Sequence, residues 1–389
     1  MTHPAVIRVV FLQPLIPHYR LAFFRGLAAE RDLDLTVHAS RETPGRDLKS
    51  VEVDPRWFRV EWHDCRRLGG QNRPNALWQS GLHLPSGFGR GDVLVLPGTP
   101  RYLSGLVLAL RARLRGASVL WFGQGFSASN NPSNAAIRRS MMRLADEVVL
   151  YTDREVELYR AIGFPAGRLS ASNNALDQSA ISKAAAEWSA QRLEAFVANA
   201  GLTGRRILLL VGRLIGKTNA GLLLRAVASL PTTYTAVVVG DGPERAALAN
   251  HAATFGLGDR ARFIGSLYSE DALAPWFLAA AAFVYPGTIG LSILHAFGYG
   301  LPVITHGDWT DHGPEFATLR PGENGAIFRP GDVSDLVTRI IEVAEAPPER
   351  RAAMSMAARQ VTEVHSMPRM VERFATAIRR AAGRRRHQL

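Results

Sequence analysis

The sequence predicts an α/β protein built from two doubly wound parallel-sheet domains that face a cleft. Three observations carry this. The chain has 389 residues, more than one hydrophobic core usually serves, so two domains of roughly 180 residues each are expected. Short apolar runs alternate with longer helical patterns, which is the signature of a parallel sheet covered by helices. The runs are continuous in Val and Leu, as strands buried on both faces require.

In the first half, Ile7–Leu12, Leu35–His38, Asp92–Leu96, Ser118–Phe122 and Glu147–Tyr151 read as strands. Helical patterns lie between them at Tyr19–Ala29, Tyr102–Leu114, Asn134–Leu144 and Arg154–Ala161. The second half repeats the scheme without repeating the sequence. Strands are predicted at Arg206–Val211, Thr235–Val239, Ala261–Phe263, Ala282–Val284 and Val303–Thr305. Helices are predicted at Gly221–Ser229, Glu244–Phe255, Ser269–Ala279, Ser292–Tyr299, Val333–Ala344 and Pro348–Val364. Gln178–Ala200 is Ala-rich and reads as one helix outside either sheet, with Gly201 and Gly204 punctuating the entry to the second sheet. The predicted division is therefore a first domain over 1–177, a linker helix over 178–204, a second domain over 205–366, and a last helix with a basic tail over 367–389 that packs back on the first domain.

Composition narrows the function classes. Hydrophobic residues make up 47% and charged residues 21%, an ordinary globular balance that excludes a disordered chain. The single cysteine, Cys65, excludes an internal disulfide and a cysteine-rich metal site and fits a reducing cytosol. Met1-Thr2-His3-Pro4 runs straight into an apolar strand, so no signal peptide is expected, and no apolar run approaches the ~20 residues that span a bilayer. A cytoplasmic protein is expected. The net charge of +12 calls for an acidic partner: nucleic acid, an anionic membrane or a phosphorylated substrate. The arginines are not interleaved with aromatics in a recognisable module, which argues against nucleic acid. The densest cluster runs from Arg379 to His387; it is either a solvated, frayed terminus or a weak contact with anionic lipid.

The most informative stretch is Tyr285 to Ile304. It reads as strand, glycine-bearing turn, short helix, Gly-Leu-Pro break and strand. A glycine turn opening a helix leaves outward N–H groups and the positive end of the helix dipole, which suit a phosphate. Ser292 adds a hydroxyl, and His295 a polar side chain one turn further in. Gly212-Arg213-Leu214-Ile215-Gly216-Lys217 follows the first strand of the second domain. Arg213 and Lys217 suit a diphosphate, or are simply two exposed loop cations. Gly240-Asp241-Gly242-Pro243 lacks the third glycine of a dinucleotide fingerprint and reads better as a helix-start loop. In His312-Gly313-Pro314-Glu315, Glu315 either accepts sugar hydroxyls or lies in a solvated loop. Asp308, Asp311 and His312 make an unattractive metal set. In the first half, Gly123-Gln124-Gly125-Phe126 and Pro17-His18-Tyr19-Arg20 follow or open elements on the cleft side, either as ligand contacts or as turn chemistry.

Taken together these residues resemble the retaining glycosyltransferases of family 4, which have the two-Rossmann GT-B fold. The resemblance runs along nearly the whole chain. It takes in Pro17-His18-Tyr19-Arg20, Ala145 to Thr152, Asn173 to Asp177, Val211-Gly212-Arg213-Leu214, Gly240-Asp241-Gly242-Pro243, Phe263-Ile264-Gly265, the 285–304 stretch and Gly322-Glu323-Asn324-Gly325. It implies sugar transfer with retention from a nucleotide-sugar, a UDP- or GDP-sugar, to a glycan or lipid-linked acceptor, with no cofactor and no metal required. It implies that Arg213 and Lys217, after Gly212, hold the diphosphate. Ile289, Gly290, Leu291 and Ser292 would meet phosphate or donor sugar, and Gly265 and Leu267 the base. Arg213, Lys217 and Gln124 would form the catalytic set, and His18 and Tyr19 would lie on the acceptor side.

The chain departs from the family pattern at several positions. The two glutamates usual in the 285–304 stretch are Gly287 and His295 here. His295 would then meet the ribose, and Glu315 would supply the missing carboxylate. Gln124 stands where a histidine is often found and cannot act as a base. The expected function is a polysaccharide or cell-surface glycan synthesis enzyme, peripheral on the inner membrane face if its basic tail engages lipid. A non-catalytic nucleotide- or glycan-binding relative and a nucleotide-sugar epimerase are the alternatives.

Overall fold

A computed structural model describes residues 6–45, 49–68, 76–125 and 132–386. Met1–Pro4, Phe126 and His387, named above, lie outside them. The chain forms two compact units, one of Met1–Asn174 with Met367–Leu389 and one of Ala175–Ser366.

In the first unit, β1 (Ile7–Leu12), α1 (Leu21–Ala28), β2 (Leu33–Ala39) and β3 (Arg59–Trp62) are followed by an antiparallel hairpin, β4 (Cys65–Leu68) and β5 (Ala76–Gln79). Then come β6 (Val93–Pro97), α2 (Leu103–Leu114), β7 (Ser118–Phe122), α3 (Pro132–Leu144), β8 (Glu147–Leu150), α4 (Asp153–Ala161) and β9 (Leu169–Ala171). Seven strands form one sheet in the order β3-β2-β1-β6-β7-β8-β9, and every pairing in it is parallel. Strand order reverses between β1 and β6, so ligand-binding loops are expected at the carboxyl ends beside that switch. α4 starts on a full capping box: Thr152 accepts from the Glu155 N–H and Glu155 accepts from the Thr152 N–H.

The second unit begins with α5 (Gln178–Ala186) and α6 (Ala190–Asn199). The single helix expected over 178–200 is thus two. Ser189 takes extended backbone angles and caps α6 by accepting from the Arg192 N–H. Ile181, Ala184, Trp188 and Phe196 pack into the same core as the sheet, so this segment is part of the unit and not a detached linker. The sheet unit follows with β10 (Arg206–Val211), α7 (Ala220–Ser229), β11 (Tyr234–Val239), α8 (Arg245–Thr254), β12 (Ala261–Gly265), α9 (Glu270–Ala279), β13 (Ala280–Val284), α10 (Ser292–Gly298), β14 (Val303–His306), β15 (Gly325–Phe328), α11 (Val333–Ala344) and α12 (Pro348–Val364). Its parallel sheet runs β12-β11-β10-β13-β14-β15, with the switch between β10 and β13. Leu208 and Leu210 face one helical layer, and Leu209 with Val237 and Phe283 faces the other.

The last helix, α13 (Met367–Arg386), belongs to the first unit. Phe374 stacks against Phe11 at 5.6 Å and meets Phe122 edge-on at 4.8 Å. The tail is neither frayed nor free through Arg385. Arg379 pairs with Glu30 and Asp32, Arg380 and Arg384 with the fully buried Glu147, and Arg385 with Asp146. Those cations are ion-paired within the unit, which corrects the reading of the stretch as a frayed terminus. No described helix is long and apolar enough to cross a membrane.

Candidate functional site

The carboxyl ends of β10, β13 and β14 gather most of the predicted residues of the second unit. After β10 the chain makes a short turn over Gly216–Thr218, and Asn219 adopts a left-handed conformation at φ 50° before α7 starts. Arg213 and Lys217 are exposed on this loop. Thr218 is its buried anchor: its hydroxyl donates to the Arg213 carbonyl and is hydrogen-bonded to the Tyr285 phenol.

Gly287 presses directly on that anchor. A Cβ at Gly287 would sit 1.9 Å from the Lys217 carbonyl oxygen, while the Thr288 N–H donates to the same oxygen at 2.8 Å. The residue at this position is therefore fixed by contact between two backbones, and a glutamate side chain has no room to start. Gly240 and Gly242 have a similar role. Their Cβ atoms would fall 1.9 Å from the Gly212 carbonyl oxygen and 2.3 Å from that of Leu214, so this pair of glycines serves close packing of two loops.

Before α10, the Ile289 N–H donates to His312 Nδ1 at 3.1 Å, and the Ile289 carbonyl accepts from the Gly313 N–H at 2.7 Å. Ile289 is fully buried. Its backbone is committed within the fold, which corrects its assignment to phosphate; the helix-opening groups that remain are those of Gly290, Leu291 and Ser292. His312 Nε2 faces the His306 carbonyl at 2.8 Å. A carbonyl only accepts, so the proton is on Nε2 and Nδ1 holds the lone pair that Ile289 uses. Burial pushes the His312 pKa down to about 4. Both His312 nitrogens are thus bonded within the fold.

Glu315 is buried at 3% exposure on the turn Pro314–Thr318. Its Oε2 would lie 2.8 Å from a Cβ on Gly313 and 3.8 Å from one on Gly290. The carboxylate therefore stands beside the opening of α10, and two glycines make the space for it.

His295 does not offer a bare imidazole. Its Nε2 lies 2.9 Å from Glu270 Oε2, and the Tyr299 hydroxyl donates to the same oxygen at 2.8 Å. Burial and this carboxylate together raise the Tyr299 phenol pKa. Glu270, the first residue of α9, is thus the carboxylate that both His295 and Tyr299 face. In sequence it looks like an ordinary first-turn acid after the Ser269 cap, and nothing in its spacing ties it to His295. Gly265 sits at φ +88° at the end of β12, and Leu267 packs on the core.

In the first unit, His18 is exposed and Tyr19 half-buried on the turn His18–Arg20. Arg20, which closes the Pro17-His18-Tyr19-Arg20 motif, is buried at 7%. Its guanidinium lies within 5.2–5.9 Å of the Tyr19, Phe23, Phe122 and Tyr151 ring centres, a cation–π cage at the carboxyl ends of β7 and β8. Gln124 is half-buried. Its turn is held by the Gly125 N–H donating to Glu155 at 2.8 Å and the Tyr159 hydroxyl donating to the Gly125 carbonyl at 2.6 Å.

Residues 192–361, within the second unit, match the family model described as Glycosyl transferases group 1. The chain is 33% identical over 158 residues to the sulfoquinovosyl transferase SQD2 of Arabidopsis thaliana; the match spans 39% of this chain and 29% of that protein. Among solved structures, Alr3699/HepE of Anabaena in complex with UDP superposes with a TM-score of 0.70 at 16% identity, covering 95% of this chain and 99% of that one. Sucrose-phosphate synthase of Thermosynechococcus elongatus gives 0.67 at 17% identity, covering 95% and 98%. The fold is that of the GT-B glycosyltransferases.

Proposed function

We propose that the chain is a retaining glycosyltransferase that moves a sugar from a UDP- or GDP-sugar to a glycan or lipid-linked acceptor in the synthesis of a polysaccharide or other surface glycan. The observation that carries this is the meeting of three features at one end of the second sheet. They are the Arg213–Lys217 loop braced on Gly287, the opening of α10 at Gly290–Ser292, and the buried carboxylate of Glu315. Cations and amides suit a diphosphate; a carboxylate one residue's width away suits the hydroxyls of the attached sugar. The UDP bound by the Anabaena protein supports a nucleotide donor.

In this reading Arg213, Lys217 and the amides of Gly290, Leu291 and Ser292 take up the charge that grows on the departing diphosphate, commonly the largest catalytic term. The acceptor hydroxyl attacks from the same face and its proton passes to the leaving phosphate. Glu315 orients the donor sugar. Glu270, held against His295, grips the ribose hydroxyls in place of the glutamate that α10 lacks. Gln124 belongs with the reacting groups, where it cannot act as a base, and His18 and Tyr19 belong to the acceptor side.

Thermal unfolding in a panel of UDP-, GDP- and other nucleotide-sugars tests the proposal. A ligand at 100 times its Kd that binds only the native state adds about 2.7 kcal/mol, so one nucleotide class should raise the Tm clearly. No shift with any nucleotide or nucleotide-sugar would refute a donor site. Stabilisation without turnover against glycan and lipid-linked acceptors would favour a binding protein over an enzyme.

A further inference from the structure

Away from those loops, three histidines and a glutamate converge at the β3 edge of the first unit's sheet. His38 lies near the end of β2 and Glu61 opposite it in register on β3; His63 follows β3 and His83 follows the β4–β5 hairpin. The His38 side chain is fully buried and that of Glu61 is one-third exposed, at 33%. His38 Nδ1 and His63 Nε2 are 2.9 Å apart, and their rings stack at 4.9 Å. His63 Nδ1 faces the Ser80 carbonyl at 3.0 Å. His38 Nε2 and His83 Nε2 lie 3.7 Å and 3.5 Å from the same Glu61 oxygen. His38, Glu61 and His63 can each offer one ligand atom, and those atoms lie within 4.8 Å of one another.

Counting protons exposes a conflict. The Ser80 carbonyl only accepts, so His63 carries its proton on Nδ1 and a lone pair on Nε2. A neutral His38 has one ring proton. If that proton sits on Nδ1 it satisfies His63, but the buried Nε2 then turns a lone pair on the Glu61 carboxylate with no hydrogen-bond partner. If it sits on Nε2, two lone pairs oppose each other at 2.9 Å. Either tautomer leaves a lone pair of the buried His38 facing another lone pair, a costly arrangement.

We infer that His38, Glu61 and His63 bind a divalent transition-metal ion, zinc by the chemistry of the ligands, with His83 beside Glu61 to complete the set. Imidazole nitrogens with one carboxylate are a zinc-type donor set. The Nδ1–H of His63 donating to Ser80 is the kind of outer bond that orients a metal-bound imidazole. The ion removes the clash of lone pairs and ties β2, the edge strand β3 and the segment after β5 together.

The test is metal titration of the full chain after chelator treatment, with Zn²⁺ followed by calorimetry and Co²⁺ by its visible absorption. One equivalent of Co²⁺ should bind and give the bands of a histidine–carboxylate site. Glu61→Gln and His63→Gln should each weaken uptake at least about tenfold, and zinc should raise the Tm of the wild type but not of Glu61→Gln. Glu61→Gln keeps size and shape at a part-exposed position, so it reports on ligation even if His63→Gln unfolds. His251→Gln, on α8 of the other unit, should bind like wild type. No saturable uptake, or uptake equal to wild type in Glu61→Gln, would overturn the inference.

Discussion

Gly287→Ala is the sharpest perturbation the second unit offers. The new Cβ would lie 1.9 Å from the Lys217 carbonyl oxygen and 2.7 Å from the Thr218 carbonyl carbon. Ordinary carbon–oxygen contacts are no closer than roughly 3.3 Å, so the loops must part by more than about 1 Å. No rotamer offers relief, because both sides of the contact are backbone. Overpacking of this kind costs about 1–3 kcal/mol. Losing the 2.8 Å bond from the Thr288 N–H to Lys217 adds about 1 kcal/mol. A total of about 2–4 kcal/mol in a unit of this size lowers Tm by roughly 4–16 °C. Lys217 moves with its carbonyl, and a displacement near 1 Å can cost about 100-fold in rate. Differential scanning calorimetry and donor turnover measure the two effects. Gly287→Glu should be no better than Gly287→Ala because it carries the same Cβ. A Gly287→Ala protein that melts and turns over like wild type would refute the steric argument.

Three further outcomes are expected. Glu315→Gln and Glu270→Gln should each weaken donor affinity by about tenfold or more, the worth of a hydrogen bond to a charged group; wild-type affinity in titration calorimetry would remove that carboxylate from the site. His312 has a folded pKa of about 4 against an unfolded value near 6.5, so the unfolded chain binds more protons between those values. Its contribution to stability is complete above pH ~6.5 and falls away as pH drops towards 4. His312→Asn, which keeps an acceptor for Ile289 but does not titrate, should flatten that part of the Tm–pH curve, and an unchanged curve would contradict it. Arg380→Ala leaves the fully buried Glu147 with Arg384 at 3.2 Å and Ser170 at 3.2 Å. Because Arg380 is 44% exposed, the loss should be modest, about 1–2 kcal/mol; an unchanged Tm would show that the α13 pairs do not hold that helix down.

The fold was legible where burial leaves a plain trace. Val93–Pro97, Ser118–Phe122 and Arg206–Val211 are central strands, and their unbroken apolar runs stand out. β3, β4 and β5 were not read from the sequence because they form an edge and a hairpin whose residues, such as Arg59, Glu61, Arg66 and Arg67, are part-exposed and polar. β9 and β15 are only 3 and 4 residues long, too short for a periodic signal. At the candidate site, the loop cations and the glycine turn could be found because they follow strands in order. Glu270 and the buried environment of His312 could not, since each depends on a partner on another element. The same holds for His38, His63 and His83: only the parallel register of β2 with β3 brings the first of these to Glu61. The arginines of α13 looked like a free basic tail because their acidic partners, Glu30, Asp32, Asp146 and Glu147, are more than 230 residues away.

The claim on which the functional account stands is that the second unit holds a diphosphate between a guanidinium, an ammonium and the amides that open α10. A crystal structure of the chain soaked with UDP measures this directly. The account predicts the two phosphates against Arg213, Lys217 and the N–H groups of Gly290 to Ser292. Nucleotide bound at any other surface, with Arg213 and Lys217 more than a hydrogen-bond length from its phosphates, would contradict it.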